Sequence, residues 1–371
     1  MTDDPFIADR ARAIGSSGIR RIFDLGAQLV DPIDLSLGQP DFEVPANIRR
    51  AMCDAIDSGK NGYTPTRGIP ALRDRIAQQL SDEFHWKPDL FVTSGVSGGL
   101  LLAMTACLNP GDEVLMGDPY FVSYPILTQL AGGVPVKVSL YDDFQLHPER
   151  FAAAVTERTK MILIGSPGNP TGVVYRPEDV EAIADLAKKH NLLIVSDEIY
   201  TMLTYDGPAA SPVQYAPERT VLLRGYGKSY ALTGLRLGYA AGPTDVITEM
   251  AKLQQFTFVC APQPAQYGAL AAMDTDMSEQ IEAYRHRRDL ICDRLKGVVE
   301  FVRPSGGFYV FAKAPTRFAS ATAFVESAIA RKLLMIPGEV FSERDTHFRI
   351  SYAADVDKLK RGCDIIASLA V

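Results

Sequence analysis

Short, mainly apolar runs recur along this chain at residues 90–93, 113–116, 161–164, 192–195 and 220–223, and each reads as a buried strand. A longer apolar run follows at 235–241. Between 161–164 and 192–195 the pattern changes to a capped helix, 177–190, which makes a βαβ unit. Such a unit implies parallel strands covered by helices on both faces. Further helices are predicted at 18–29, from Ala71 onward, at 100–108 and at 261–273. One long helix rich in Arg and Asp, 277–298, reads as a bridge to a smaller C-terminal unit. There the alternation at 300–302 and 307–312 predicts strands beside a tight turn at Gly306-Gly307. A helix at 322–333, a strand at 347–351 and an amphipathic helix at 355–369 complete the chain. Near the N-terminus, 35–42 reads as a strand running into a turn.

At 371 residues the chain exceeds the size at which one hydrophobic core keeps growing, so more than one domain is expected. The expected class is α/β, a mostly parallel sheet flanked by helices, with a smaller α+β domain that takes in the C-terminal third. The expected boundaries are 1–42 for the arm, 43–276 for the large domain and 277–371 for the small one.

In parallel sheets of this kind, ligands sit beyond the carboxyl ends of the strands. Asn169 and Asp197 both fall just past such ends, on one edge of the sheet. Lys228 follows 220–223 in a glycine-flanked turn, Gly225-Tyr226-Gly227-Lys228. A lysine between buried strands is costly to desolvate, so it reaches solvent or has its pKa lowered and serves as a nucleophile. Arg236, a permanent cation nearby, needs an anionic partner if its strand is buried. Gly-Lys-Ser here is not a P-loop, because Leu222 stands where the first glycine is required. Ser94-Gly95-Val96-Ser97-Gly98-Gly99 lies between a strand and a helix, where backbone N–H groups face a phosphate, but it does not satisfy G-x-G-x-x-G.

Composition narrows the classes. The chain is 47% hydrophobic and 22% charged, ordinary for a globular protein. A net charge of −7 and a pI near 5.4 argue against a nucleic-acid surface. No apolar run approaches the roughly 18 residues needed to span a membrane. The acidic start, Met1-Thr2-Asp3-Asp4, lacks a signal-peptide pattern. Five scattered cysteines without CxxC spacing read as reduced thiols of a cytoplasmic protein.

Asn169-Pro170-Thr171-Gly172, Ser196-Asp197-Glu198-Ile199-Tyr200, the Lys228–Arg236 stretch and Phe348-Arg349-Ile350-Ser351-Tyr352 occur in that order. In order and spacing they resemble the class I/II aminotransferases, enzymes of pyridoxal 5′-phosphate (PLP) fold type I. The resemblance runs from about residue 35 to the C-terminus, and it implies that the N-terminal arm joins the C-terminal third in the smaller α+β domain. It implies that Lys228 condenses with the cofactor aldehyde and later moves the α-proton, and that Asp197 faces the pyridine nitrogen. It further implies that Tyr200 and Asn169 meet the ring hydroxyl, and that Phe121, rather than Tyr120 or Tyr124, stacks on the ring. Arg236 with Gly95, Val96 and Ser97 would hold the phosphate. Tyr63 would reach it from the second subunit of a homodimer. Arg349 would grip the substrate α-carboxylate as a bidentate fork, beside Asn169 and Gly38 of the arm. A cis bond is expected at Asn169-Pro170.

Two features of this chain shape the expectations. Where the family commonly has serine near the lysine, Gly225 and Gly227 stand here, which predicts weaker cofactor retention. Residues 97–108 contain no Lys or Arg to meet a distal carboxylate. A neutral, apolar or aromatic amino donor with a 2-oxo acid acceptor such as 2-oxoglutarate is therefore expected. Aspartate is the alternative, with a cation from another segment such as Arg20-Arg21. A β-eliminating C–S lyase shares the same residues, whereas a non-catalytic regulatory module is disfavoured by the intact Lys228.

Overall fold

A computed structural model of the protein describes residues 5–15 and 18–371. The side chains of Arg20 and Arg21 lie outside the described residues. The seven strands of the main sheet are β1 (Asp89–Thr93), β2 (Glu113–Asp118), β3 (Val134–Ser139), β4 (Thr159–Gly165), β5 (Leu193–Asp197), β6 (Thr220–Gly225) and β7 (Gly238–Gly242). Their order across the sheet is β1-β7-β6-β5-β4-β2-β3. All neighbouring pairs are parallel except those made by β7, which runs antiparallel to both β1 and β6.

Strand period explains why the central runs are unbroken in hydrophobicity. In β4, Met161 and Leu163 pack with Val195 on one face, while Ile162 and Ile164 pack with Ile194 on the other. Both faces are covered, so both sets must be apolar. Full burial of each such side chain contributes roughly 1.5–3 kcal/mol. The covering helices are α1 (Ala46–Asp57), α2 (Pro70–Phe84), α3 (Gly95–Cys107), α4 (Ser123–Leu130), α5 (Pro177–His190), α6 (Thr244–Thr257) and α7 (Gln263–Ala272). Helix α5 begins with Pro177 at its first position and ends at Asn191 in the left-handed region, the two ends its sequence signals.

The C-terminal layer is built on an antiparallel sheet, β8 (Tyr309–Lys313), β9 (Ile336–Pro337) and β10 (His347–Ser351), in the order β9-β10-β8. Helices α8 (Ser278–Leu295), α9 (Ala321–Ile329) and α10 (Val356–Ala370) surround it. The arm joins this layer, since Ile33–Asp34 pairs in parallel with Leu333–Leu334 and Ser351 N–H donates to Leu35 O at 2.8 Å.

Several expectations need correction. The 300–302 stretch is not a strand and makes only an isolated bridge, Phe301 to Ala312. The helix expected at 322–333 stops at Ile329, because Leu333–Leu334 is drawn into pairing with the arm. The long helix ends at Leu295, before Gly297 with its positive φ of 77°. The run 235–241 splits into a 3-10 turn at Thr233–Leu235 and strand β7. The helix expected at 100–108 begins at Gly95, so the small-residue turn is its first turn. Helices α1 and α6 and the half-exposed edge strand β3 carried no decisive pattern and were not anticipated.

Candidate active site

The carboxyl ends of β4, β5 and β6 and the N-terminus of α3 converge on a cavity of about 300 Å³. It is lined by Gly38, Gly95, Val96, Ser97, Phe121, Asn169, Asp197, Tyr200, Lys228, Arg236 and Arg349. Residues from seven separate stretches of sequence thus meet in one place. Of the expected set, Tyr63 alone does not line the cavity; its side chain is 87% exposed.

Lys228 sits in the turn after β6, partly buried, with Nζ donating to the Gly38 carbonyl of the arm. Burial, then the like charges of Arg349 and Arg236, depress its pKa to about 8 against the usual 10.5. Asp197 ends β5 and accepts from Tyr124 Oη at 2.9 Å and from the Ile199 N–H at 3.2 Å. Burial raises its pKa to about 6, and it makes no ion pair with a cation among the described residues. Tyr124 is therefore committed to Asp197 through its hydroxyl. Tyr120 lies outside the cavity, its ring beside Lys137, whereas Phe121 and Tyr124 both line it, with their rings in edge contact at 5.6 Å.

Arg236 lies over the start of α3. A Cβ on Gly95 would stand 3.0 Å from Arg236 Nη2, and the φ of 68° at Gly95 is what favours glycine there. Its Nη1 donates to Thr233 O at 2.9 Å and has no carboxylate partner among the described residues. Arg349, on β10, is 1% exposed. It donates from Nη1 to Asn169 Oδ1 at 2.9 Å and from Nη2 to Ser36 O at 2.8 Å, while Nε has no partner. Its guanidinium lies between the Tyr309 and Phe341 rings, 4.3 and 4.7 Å from their centroids. Asn169 precedes a cis proline as expected, and cis bonds also occur at Asp118-Pro119 and Ser166-Pro167.

The two glycines near Lys228 prove unlike. A Cβ at Gly225 would lie 2.9 Å from Ile199 Cδ1 and 3.2 Å from Val96 Cγ2, so that position is closed to serine. At Gly227 the nearest atom to a Cβ is 3.5 Å away, ordinary contact, and the residue lines the cavity. Only the second glycine leaves room for a hydroxyl.

Sequence reasoning passed over Tyr309, Ser36 and Tyr124's hydroxyl. Alternation in β8 placed Tyr309 and Phe311 on one face, but only register sets Arg349 opposite Phe311 and diagonal to Tyr309. Cavity charge supports an anionic occupant, with three cations facing one carboxylate. A family model described as aminotransferase class I and II matches residues 30–366.

The chain belongs to the class I and II aminotransferases.

It is 37% identical to a probable aspartate aminotransferase of Methanocaldococcus jannaschii, over 98% of this chain and 99% of that protein. It is 34% identical to an aromatic-amino-acid aminotransferase of Thermococcus litoralis, covering 96% of both. Among solved structures, an aspartate aminotransferase from Thermus thermophilus with maleate superposes with a TM-score of 0.94, at 35% identity, covering 98% of this chain and 99% of that one. The protein is thus an aminotransferase with the fold expected of it, a mostly parallel sheet between helices and a smaller antiparallel sheet. Its relatives carry names that differ in amino donor, so family membership alone leaves the donor open.

Proposed function

We propose that this aminotransferase binds PLP in the cavity at the sheet edge and moves the amino group of a neutral, apolar or aromatic amino acid to a 2-oxo acid. The observation that carries the reading is Lys228, an amine whose pKa is lowered to about 8 in the same cavity as Asp197 and Arg349. PLP supplies an electron sink for the bonds at the substrate α-carbon. The residues present fit that group. Asp197 is a buried carboxylate lacking a cation, suited to a protonated ring nitrogen. Arg236, Gly95, Val96 and Ser97 offer a guanidinium and a helix start to a phosphate. Phe121 offers a ring face, and Tyr200 and Asn169 offer donors to a ring oxygen.

Arg349 receives the donor's α-carboxylate, where its unpartnered Nε and a charge without a counter-ion favour an anion. Lys228 Nζ removes the α-proton of the bound donor, which requires a neutral amine, and returns a proton to complete each half of a ping-pong exchange. The homodimer reading is supported by Tyr63, an exposed aromatic on the 62–70 loop, together with the exposed Phe256 and Val259. A division at about residues 42 and 277, into a large domain and a smaller one that includes the arm, is supported on the arm's side by its pairing with Leu333–Leu334. A cytoplasmic setting accords with five free cysteines.

The apolar donor is supported by the cavity wall. Its described cations, Lys228, Arg236 and Arg349, each have a task, and the remainder includes Ile19, Leu100, Ile199, Leu232 and Leu237. Aspartate is the second reading, favoured by the names of several relatives. The test is to load the purified protein with PLP and follow its absorbance on adding single amino acids. Phenylalanine, leucine or methionine should discharge the spectrum at lower concentration than aspartate, and the Lys228→Ala protein should respond to none. A clear preference for aspartate removes the apolar reading, and turnover by Lys228→Ala removes the assignment of the lysine.

A further inference from the structure

Tyr309 enters the cavity from β8 and touches three parts of the site at once. Its hydroxyl lies 3.1 Å from the Tyr200 hydroxyl, and both side chains are buried. Its ring face lies under the Arg349 guanidinium at 4.3 Å. Its hydroxyl also fills the space a side chain at Gly38 would need, so the arm can approach only as glycine. Tyr309, Tyr200 and Gly38 belong to three separate stretches of chain, and one hydroxyl sits where they meet.

A phenol carries one proton and accepts through its lone pairs. If Tyr200 turns that proton toward a ligand in the cavity, its oxygen must accept from elsewhere. The only hydrogen-bonding group within reach of the Tyr200 hydroxyl among the described residues is Tyr309. Among the described residues Tyr309 bonds no other group through its oxygen, so its own proton is free to point at Tyr200. The cation on its ring face strengthens it as a donor, because positive charge beside a phenol favours release of the proton.

We propose that Tyr309 is a positioning residue for transamination: its hydroxyl donates to Tyr200, directing the single Tyr200 proton at the cofactor's ring oxygen, while its ring face holds Arg349 in place for the substrate carboxylate. The relay half rests on the reading of Tyr200 as the donor to that oxygen. The clamp half rests on Arg349 alone. Hydrogen bonds in series polarise one another, so the outer bond strengthens the inner one.

The test uses PLP-loaded protein and the pH midpoint of its absorbance change, which reads the proton held around the lysine-bound ring. A donor on the ring oxygen stabilises its negative form, so losing the donor moves the midpoint up. Tyr309→Phe, which keeps the ring, should raise the midpoint by about half a pH unit, the size of a modest neutral hydrogen bond. Tyr200→Phe should raise it further, and the double variant should match Tyr200→Phe, since the outer bond acts only through the inner one. A midpoint unmoved by Tyr309→Phe while Tyr200→Phe shifts it overturns the relay. If Tyr200→Phe moves nothing, the assignment of Tyr200 itself is wrong and the relay falls with it.

The clamp is read separately. Tyr309→Leu removes the ring face and should raise KM for the amino donor about five- to tenfold, whereas Tyr309→Phe should leave KM near wild type. Equal KM values in the leucine and phenylalanine variants overturn that half.

Discussion

Arg224 and Arg349 are both arginines inside strands and both almost wholly buried, yet the protein treats their charges in opposite ways. Arg224, near the end of β6, meets Glu198 at 2.9–3.0 Å and Glu83 at 2.6–2.8 Å. Burial works against its charge, and the Glu198 and Glu83 carboxylates more than offset this, so its pKa stands well above the ordinary value. Arg349 has a carbonyl, an amide oxygen and two ring faces, with no carboxylate within ion-pair distance among the described residues. Burial holds its pKa below the ordinary value. The first arginine is a finished ion network and the second is an incomplete one. An unfinished buried charge costs stability, and it persists where a ligand completes it. The contrast marks Arg349, and not Arg224, as the charge open to a ligand, without reference to either residue's position in the sequence.

The comparison breaks most sharply in activity. Arg349→Met should lower kcat/KM roughly a thousandfold, about 4 kcal/mol, through loss of a two-pronged charged contact. Its unfolding free energy should hold steady or rise, because a buried charge without a counter-ion is gone. Steady-state rates and a denaturant titration on one preparation check both halves, and a large loss of stability would contradict the contrast. Arg224→Met should do the reverse. Its unfolding free energy should fall by about 3 kcal/mol because Glu198, 2% exposed, is left charged and unpaired, while KM for the donor changes little. Adding Glu198→Gln should recover much of the loss, and a double variant as unstable as the single one would show that packing, not charge, holds that corner.

The smallest effect sharpens the comparison at Lys228. In the cofactor-free protein, modification of the Lys228 amine by an acylating reagent should be half-maximal near pH 8, since only the neutral amine reacts. Arg349→Met removes a like charge and should move that midpoint upward, by less than one unit, toward the ordinary 10.5. Arg224→Met should leave it where it is, because Arg224 is not among the charges that depress it. Rates of acylation across pH, read by mass spectrometry at Lys228, decide the matter.

Much of the site was legible in advance because parallel sheets place ligands at strand ends, and strand ends are visible as the last residues of apolar runs. Asn169 and Asp197 stand at such ends and Lys228 in a turn after one, while the family resemblance singled out Lys228 and the Gly95–Ser97 turn from the many lysines and small-residue turns that look alike. The role of Glu198 was not legible, since an Asp-Glu pair reads as solvated surface until Arg224 and Glu83 are seen around it. Gly225 and Gly227 looked equivalent on paper, and only the Ile199 and Val96 side chains distinguish them. The C-terminal layer was read less well than the main sheet. Its strands are short, and Leu333–Leu334 was assigned to a helix because nothing local reveals pairing with an arm 300 residues away.

The amino-acid order by itself determined which runs are buried, where the strands stop and which titratable groups stand at those stops. These follow from local periodicity and from the cost of burying polar backbone. Tertiary structure alone decided which side chains meet: Tyr124 with Asp197, Tyr309 with Tyr200 and Arg349, Lys228 with Gly38. Those meetings depend on strand register and on the approach of segments far apart in the chain, and no pattern with a period of two or 3.6 residues encodes either.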